Sequence, residues 1–216
     1  MLERMDEFFE RRLSGYDEHM RRDIFGASEF YPFTAKLLPL DPACHVLDLG
    51  CGTGLELEEY FALNPLARVT GIDLSAAMLK ALAAKFPGKE VTLIQGSYFD
   101  VDFGQAVYDA AVSVESLHRF PFDMKVALYR RLHAALKNDG YFVLTDYFAP
   151  STEDERAHFE ELARLRREQQ ITDDALYHYD TPLTVEHEVK ALRAGGFSEV
   201  SVLNRWENTC TILARK

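Results

Sequence analysis

Residues 46–54 read Val-Leu-Asp-Leu-Gly-Cys-Gly-Thr-Gly, and the next nine, Leu55–Leu63, are amphipathic. An apolar run of strand length that passes through three spaced glycines into a helix is the opening of a βαβ unit. Glycines at such a turn let the backbone double back sharply and pass close to a ligand. The same alternation then continues along the chain. Strand-length apolar runs over 67–72, 91–95, 108–113 and 141–145 are separated by helical stretches, one at 75–86 and one with apolar positions Val126, Leu128, Leu132 and Leu136, or by short loops. Ser75 is placed to cap the first of these helices, Pro87-Gly88 to stop it, and the Lys137-Asn138-Asp139-Gly140 turn to lead into the fifth strand.

Strands that alternate with helices form a parallel sheet covered on both faces, through right-handed crossovers. The last two runs, 200–203 and 209–213, lie too close together for a crossover, so they pair antiparallel. The fold class is α/β, a doubly wound, mostly parallel seven-stranded sheet in one domain over 1–216. Residues 1–40 read as a helical arm broken near Gly15 and at Phe25-Gly26. Ser151 and Asp154 form a capping box for a charged helix inside an insert at 150–183, and Thr184 caps another helix that ends at Gly195-Gly196.

The net charge is −11 over 216 residues, which disfavours long-range attraction to nucleic acid. The arginine pairs at 11–12, 21–22, 130–131 and 166–167 sit among acids, as solvated helix faces do. No run approaches the ~18 apolar residues of a membrane span, and the amino terminus lacks the basic-then-apolar order of a secretory signal. The expectation is a cytoplasmic protein, either monomer or homodimer. Cys44, Cys51 and Cys210 form no C-x-x-C pair, and neither histidines nor carboxylates show metal-ligand spacing. No metal is expected.

In a doubly wound sheet, ligands bind outside the carboxyl ends of the strands where strand order reverses. Asp48-x-Gly50-x-Gly52-x-Gly54 lies there, and Asp73 closes the second strand, where a carboxylate can accept from the hydroxyls of a ribose. The dinucleotide fingerprint G-x-G-x-x-G would need glycine at 55, where this chain has leucine, so a nicotinamide cofactor is disfavoured.

On Asp48, Gly50, Gly52 and Gly54, together with Gly71-Ile72-Asp73-Leu74-Ser75, the chain resembles the class I S-adenosylmethionine-dependent methyltransferases over roughly residues 14–214. The resemblance implies a Rossmann-like methyltransferase fold with S-adenosylmethionine as cofactor. It places the glycine loop against the methionine part and Asp73 on the ribose diol. Leu74 and Met78 line the adenine pocket, with Ser97 and Tyr98 candidates where the family often has an acid. Gly15-Tyr16-Asp17 is similar to the family's lid motif, which makes Tyr16 a cofactor contact, or else a packed aromatic.

The resemblance also puts the fourth strand's end, from Ser113 to Phe120, beside the sulfonium. His118 or Glu115 can there act as general base, or His118 can be a structural histidine. The segment lacks the Asn/Asp-Pro-Pro-aromatic pattern of base and amide N-methylases and the Pro-Cys of cytosine-carbon methylases. The implied activity is methyl transfer to an oxygen or nitrogen of a small molecule under the insert, with Tyr147, Tyr177 and Tyr179 as acceptor contacts. An RNA or tRNA base methyltransferase, using a basic face around Arg164, Arg166 and Arg167, is the alternative, and a non-catalytic S-adenosylmethionine-binding protein another.

Overall fold

The computed structural model describes residues 1–216. Five strands, β1 (His45–Leu49), β2 (Arg68–Asp73), β3 (Glu90–Gln95), β4 (Tyr108–Val114) and β5 (Leu136–Tyr147), run parallel. β6 (Glu199–Trp206) and β7 (Thr209–Arg215) complete the sheet in the order β3-β2-β1-β4-β5-β7-β6, with β7 antiparallel to both neighbours. Strand order reverses between β1 and β4, so the carboxyl ends of these two flank the crevice where such sheets bind ligands.

β1, β2, β4 and most of β5 are buried because both faces are covered, whereas the edge strands β3 and β6 are largely exposed. Val46, Val112 and Val143 point into one core with Phe30, Leu57 and Tyr60 from α3 (Ala27–Lys36) and α4 (Leu55–Leu63). Their chain neighbours Leu47, Ala111, Phe142 and Leu144 point into the other, with Leu128 and Leu132 of α6 (Phe122–Ala135) and Leu192 of α8 (Val185–Ala194). Side-chain period two thus serves both layers at once. Lys125 of α6 and Glu188 of α8 form a buried ion pair that Tyr129 also joins, fixing one helix against the other.

Helices α1 (Met5–Arg12) and α2 (Tyr16–Asp23) form the arm, followed by α3. The breaks fall at Gly15 and Gly26, both at positive φ. A Cβ at Gly26 would strike Trp206, so only glycine allows α3 this close to the β6–β7 hairpin. α1 is held to the insert: the Met5 amide donates to the Leu176 carbonyl at 2.9 Å, the His178 amide to the Glu3 carbonyl at 2.9 Å, and Phe8 stacks on His178 at 3.4 Å. α5 (Ala76–Lys85) follows β2, capped by the Ser75 hydroxyl. α7 (Thr152–Glu168) is capped by Ser151.

The expected turn at 137–140 is a correction. Leu136 already pairs with Tyr108 and Tyr141 with Ala110, so the Lys-Asn-Asp-Gly residues bulge out of a strand that begins directly after α6. Turn-forming residues accommodate a bulge by the same backbone freedom that closes a loop.

Candidate active site

β1 delivers Gly50, Gly52 and Gly54 at φ of 77°, 47° and 74°. The Gly50 amide donates to the Ile72 carbonyl at 2.8 Å, holding the loop against the end of β2. Asp73 then takes the Gly52 amide on Oδ2 at 2.9 Å and the Ser75 amide on Oδ1 at 2.8 Å. Each oxygen retains a lone pair for a further donor. Gly50, Gly52, Asp73, Leu74, Met78 and Tyr98 bound a small cavity, roofed by Met5, Phe9 and Tyr16 of the arm. Its volume is about 50 Å³, far below the ~300–1,000 Å³ of a ligand pocket. The arm thus covers this cavity.

Below the loop, Asp48 is buried with neither carboxyl oxygen hydrogen-bonded, and Oε1 of buried Glu56 is equally without a partner. Burial, reinforced by the other's charge, pushes the Asp48 carboxyl well above the ordinary carboxylate range. Glu56 is raised as well, chiefly by burial.

A larger cavity, about 680 Å³, adjoins the first under the arm. Phe8, Met20 and Phe25 give it apolar walls, the Trp206–Thr209 hairpin closes one side, and Tyr147, His178 and Asp180 another. Phe9, Tyr16, Glu115 and Arg119 line both cavities, so these four mark the junction.

Glu115 follows β4 at φ 50°, a left-handed conformation that costs a non-glycine residue roughly 1–2 kcal/mol. Its Oε1 accepts from the Thr209 hydroxyl at 3.1 Å. Burial raises its pKa to about 7, with Asp146 adding to the rise and His118, Thr209 and Arg119 opposing it.

His118 is buried, with Nδ1 2.5 Å from Asp146 Oδ1 and Nε2 3.1 Å from Asp180 Oδ1. Burial and Arg119 lower its pKa, but Asp146 and Asp180 outweigh them and bring it to about 9. At neutral pH the ring is an imidazolium donating from both nitrogens. Both ring nitrogens are thus engaged by carboxylates, the arrangement of a structural histidine. Glu115, His118 and Asp146 bring donor atoms within 4.8 Å of one another, a clustering that sequence spacing did not show.

Other sequence candidates separate in the same way. Asp73, Leu74, Met78, Tyr98, Gly50, Gly52 and Tyr16 converge on the small cavity, and Tyr147 faces the large one. Ser113 does not: it is sealed in the sheet, where its hydroxyl donates to the Leu49 carbonyl at 2.8 Å. Ser97 caps its own turn by accepting from the Phe99 amide. Gly54 begins α4, and a Cβ there would meet Phe86 rather than a ligand. Tyr177 and Tyr179 point away, Tyr177 bonding to Asp173 and Tyr179 lying near His158. In this extended segment it is the alternate pair, His178 and Asp180, that faces inward. Asp146 and Asp180 were missed as site residues. Asp146, at the carboxyl end of β5 beside β4, was the one that strand position could have flagged.

The methyltransferase-domain family matches residues 46–140. Carboxy-S-adenosyl-L-methionine synthase of Wolinella succinogenes is 29% identical, over 100% of this chain and 95% of its own length. Residues 46–140 are thus a methyltransferase domain, and the similarity supports a class I S-adenosylmethionine-dependent methyltransferase.

Solved structures of this methyltransferase fold superpose over nearly the whole chain. An O-methyltransferase structure from Nostoc punctiforme covers 96% of this chain and 59% of its own, with a TM-score of 0.70 at 21% identity. Human N-acetylserotonin methyltransferase in complex with its cofactor covers 98% and 56%, with a TM-score of 0.68 at 16% identity. S-adenosylmethionine is the cofactor of this methyltransferase, and the residues present fit it. Asp73 has lone pairs free for a diol, Leu74 and Met78 offer apolar surface to a flat base, and the unpartnered acids Asp48 and Glu56 underlie the glycine loop. A Cβ at Gly50 would overlap Ser116, so this methyltransferase keeps its loop against the fourth strand's end only with glycine there.

Proposed function

We propose that this enzyme transfers the methyl group of S-adenosylmethionine to an oxygen or nitrogen of a small organic acceptor held in the 680 Å³ cavity, with Glu115 as the general base. The observation that carries the reading is the position of Glu115, a buried carboxyl with a pKa of about 7 at the junction of the two cavities. The cofactor supplies an electrophilic methyl on a cationic sulfonium. The protein's part is to align the attacking atom with it and exclude water, which accounts for most of the catalysis in such a displacement.

In this reading Asp73 holds the ribose diol, Leu74, Met78 and Tyr98 bound the adenine, and Gly50 and Gly52 admit the methionine portion. Tyr16 closes over the cofactor, while Tyr147, His178 and Trp206 contact the acceptor. Glu115 accepts the proton of a hydroxyl as the methyl arrives, or that of an ammonium before the freed amine attacks, and imidazolium His118, 4.0 Å away, favours the ionised carboxylate. Arg164 favours no RNA substrate, because it is paired with Glu161 and Glu168.

A second reading has support in the name of the relatives that match the whole chain, in which the cofactor itself is the molecule that gains a group. One experiment separates the readings. S-adenosylmethionine labelled in its methyl group is incubated with the enzyme and, separately, with small metabolites, RNA and protein from cell extract. Label moving to a small molecule distinct from the cofactor, and lost in Glu115→Gln, is the expected result. Label in RNA or protein would overturn the proposal, and label kept in an acidic derivative of the cofactor would establish the second reading.

A further inference from the structure

We infer that the acceptor is a carboxylic acid bearing a hydroxyl or amine, and that Arg119 receives its carboxylate. The inference rests on the proposal that the larger cavity takes the acceptor. Arg119 ends the short 3₁₀ turn Leu117–Arg119, and its side chain is only 11% exposed. A guanidinium has five N–H donors in a planar fork, and burying it is tolerated when those donors are met. Here Nη1 donates to the Glu115 carbonyl at 3.3 Å. Nε comes within 3.3 Å of Asp180 Oδ1 but off the hydrogen-bonding direction, and it is buried with no partner.

Asp180 Oδ1 also accepts from the His118 ring at 3.1 Å, so it is shared between two cations. Two cations thus converge on one carboxylate at the cavity wall. The Phe9 ring, 5.5 Å from the guanidinium carbon, covers part of the Arg119 surface from water. What remains is an under-paired planar cation facing a cavity with aromatic walls, and its geometric complement is a carboxylate bound through two parallel hydrogen bonds.

The other charges on the cavity divide it. Arg11 and Arg12 stand on the same wall and are paired with Glu3, while Glu207 lies on the hairpin. Glu115 stands beside Arg119 at the junction. A carboxylate on Arg119 therefore places the rest of the molecule, and its hydroxyl or amine, next to the base rather than the carboxylate itself.

The test measures binding without turnover, so it does not depend on Glu115 acting as base. Protein saturated with S-adenosylhomocysteine is titrated with matched acids and amides: 3-phenylpropionate and its amide, 4-hydroxybenzoate and its amide, hexanoate and its amide. Binding is followed by calorimetry and by the fluorescence of Trp206, the sole tryptophan, which lines this cavity. At least one acid should bind about tenfold or more tighter than its amide, as a charge-assisted pair requires. R119Q should abolish the preference and R119K retain part of it. R119K also serves if R119Q fails to fold. Absence of any acid preference across the pairs overturns the inference, as does an R119Q variant that keeps the preference but loses S-adenosylhomocysteine, since Arg119 would then hold the cofactor. Binding by calorimetry that leaves Trp206 unchanged would remove the acceptor from this cavity and with it the reading on which the inference rests.

Discussion

Replacing Glu115 by glutamine removes a charge the fold is strained to bury, so the variant should gain stability where the enzyme loses activity. Burial lifts this carboxyl from 4.5 to about 7. At about 1.4 kcal/mol per tenfold change, that rise corresponds to roughly 3 kcal/mol of cost for the ionised folded form. The folded value lies above the unfolded one, so the group contributes stability at acid pH and loses that contribution as pH climbs from about 4.5 through 7. Glutamine keeps the shape and can still accept from Thr209. At pH 8 the variant should therefore gain up to roughly 3 kcal/mol, or about 6–12 °C in Tm at ~2–4 °C per kcal/mol for a chain of this size, and at pH 4.5 almost nothing. The assay pairs scanning calorimetry at both pH values with kcat/KM profiles. Wild type should rise with unit slope to near pH 7 and level off, whereas Glu115→Gln should be flat and about 10²–10⁴-fold lower. A Tm difference independent of pH, or a wild-type profile with no inflection near 7, would refute the reasoning.

His118 titrates in the same sense over a higher range: its folded value near 9 exceeds the ordinary 6.5, so its ion pairs stabilise fully below about pH 6.5 and are lost as pH rises through 9. His118→Gln should be less stable than wild type by roughly 3 kcal/mol at pH 6 and close the gap by pH 10, and thermal denaturation curves that stay parallel across that range would count against the clamp. Gly50→Ala places a methyl on Ser116 at φ 77°, whereas Gly52→Ala meets nothing nearer than the Tyr16 hydroxyl at 4.0 Å. Gly50→Ala should thus lose more affinity for S-adenosylhomocysteine, and Ser116→Ala in the same chain should restore part of it; equal losses at both glycines would place the constraint in φ alone.

The cofactor half of the site was legible in the sequence because its signals are local. Strands buried on both faces are unbroken apolar runs, positive φ demands glycine at 50, 52 and 54, and Asp73 is tied to the loop by its place at the end of β2. The acceptor half was not. Whether Tyr177 and Tyr179 or His178 and Asp180 face inward is a matter of parity in an extended segment, set here by the pairing of Arg4 with Tyr177 far away in the chain. The surroundings of His118 likewise turn on partners 28 and 62 residues further along, Asp146 and Asp180, which favour the charged imidazole. Ser113 shows the converse: a polar residue in the right strand spent on a buried carbonyl. The Lys-Asn-Asp-Gly segment was misjudged because turn chemistry is identical in a loop and in a bulge.

The most direct test of the account is calorimetric titration with S-adenosylhomocysteine, run on wild type and Asp73→Asn, with NADH as control. Wild type should bind S-adenosylhomocysteine and not NADH, and Asp73→Asn should bind it more weakly by about 1–3 kcal/mol, roughly 5–150-fold, through lost charged hydrogen bonds. Binding of NADH, or an affinity unchanged by Asp73→Asn, would contradict the placement of the cofactor at the ends of β1 and β2.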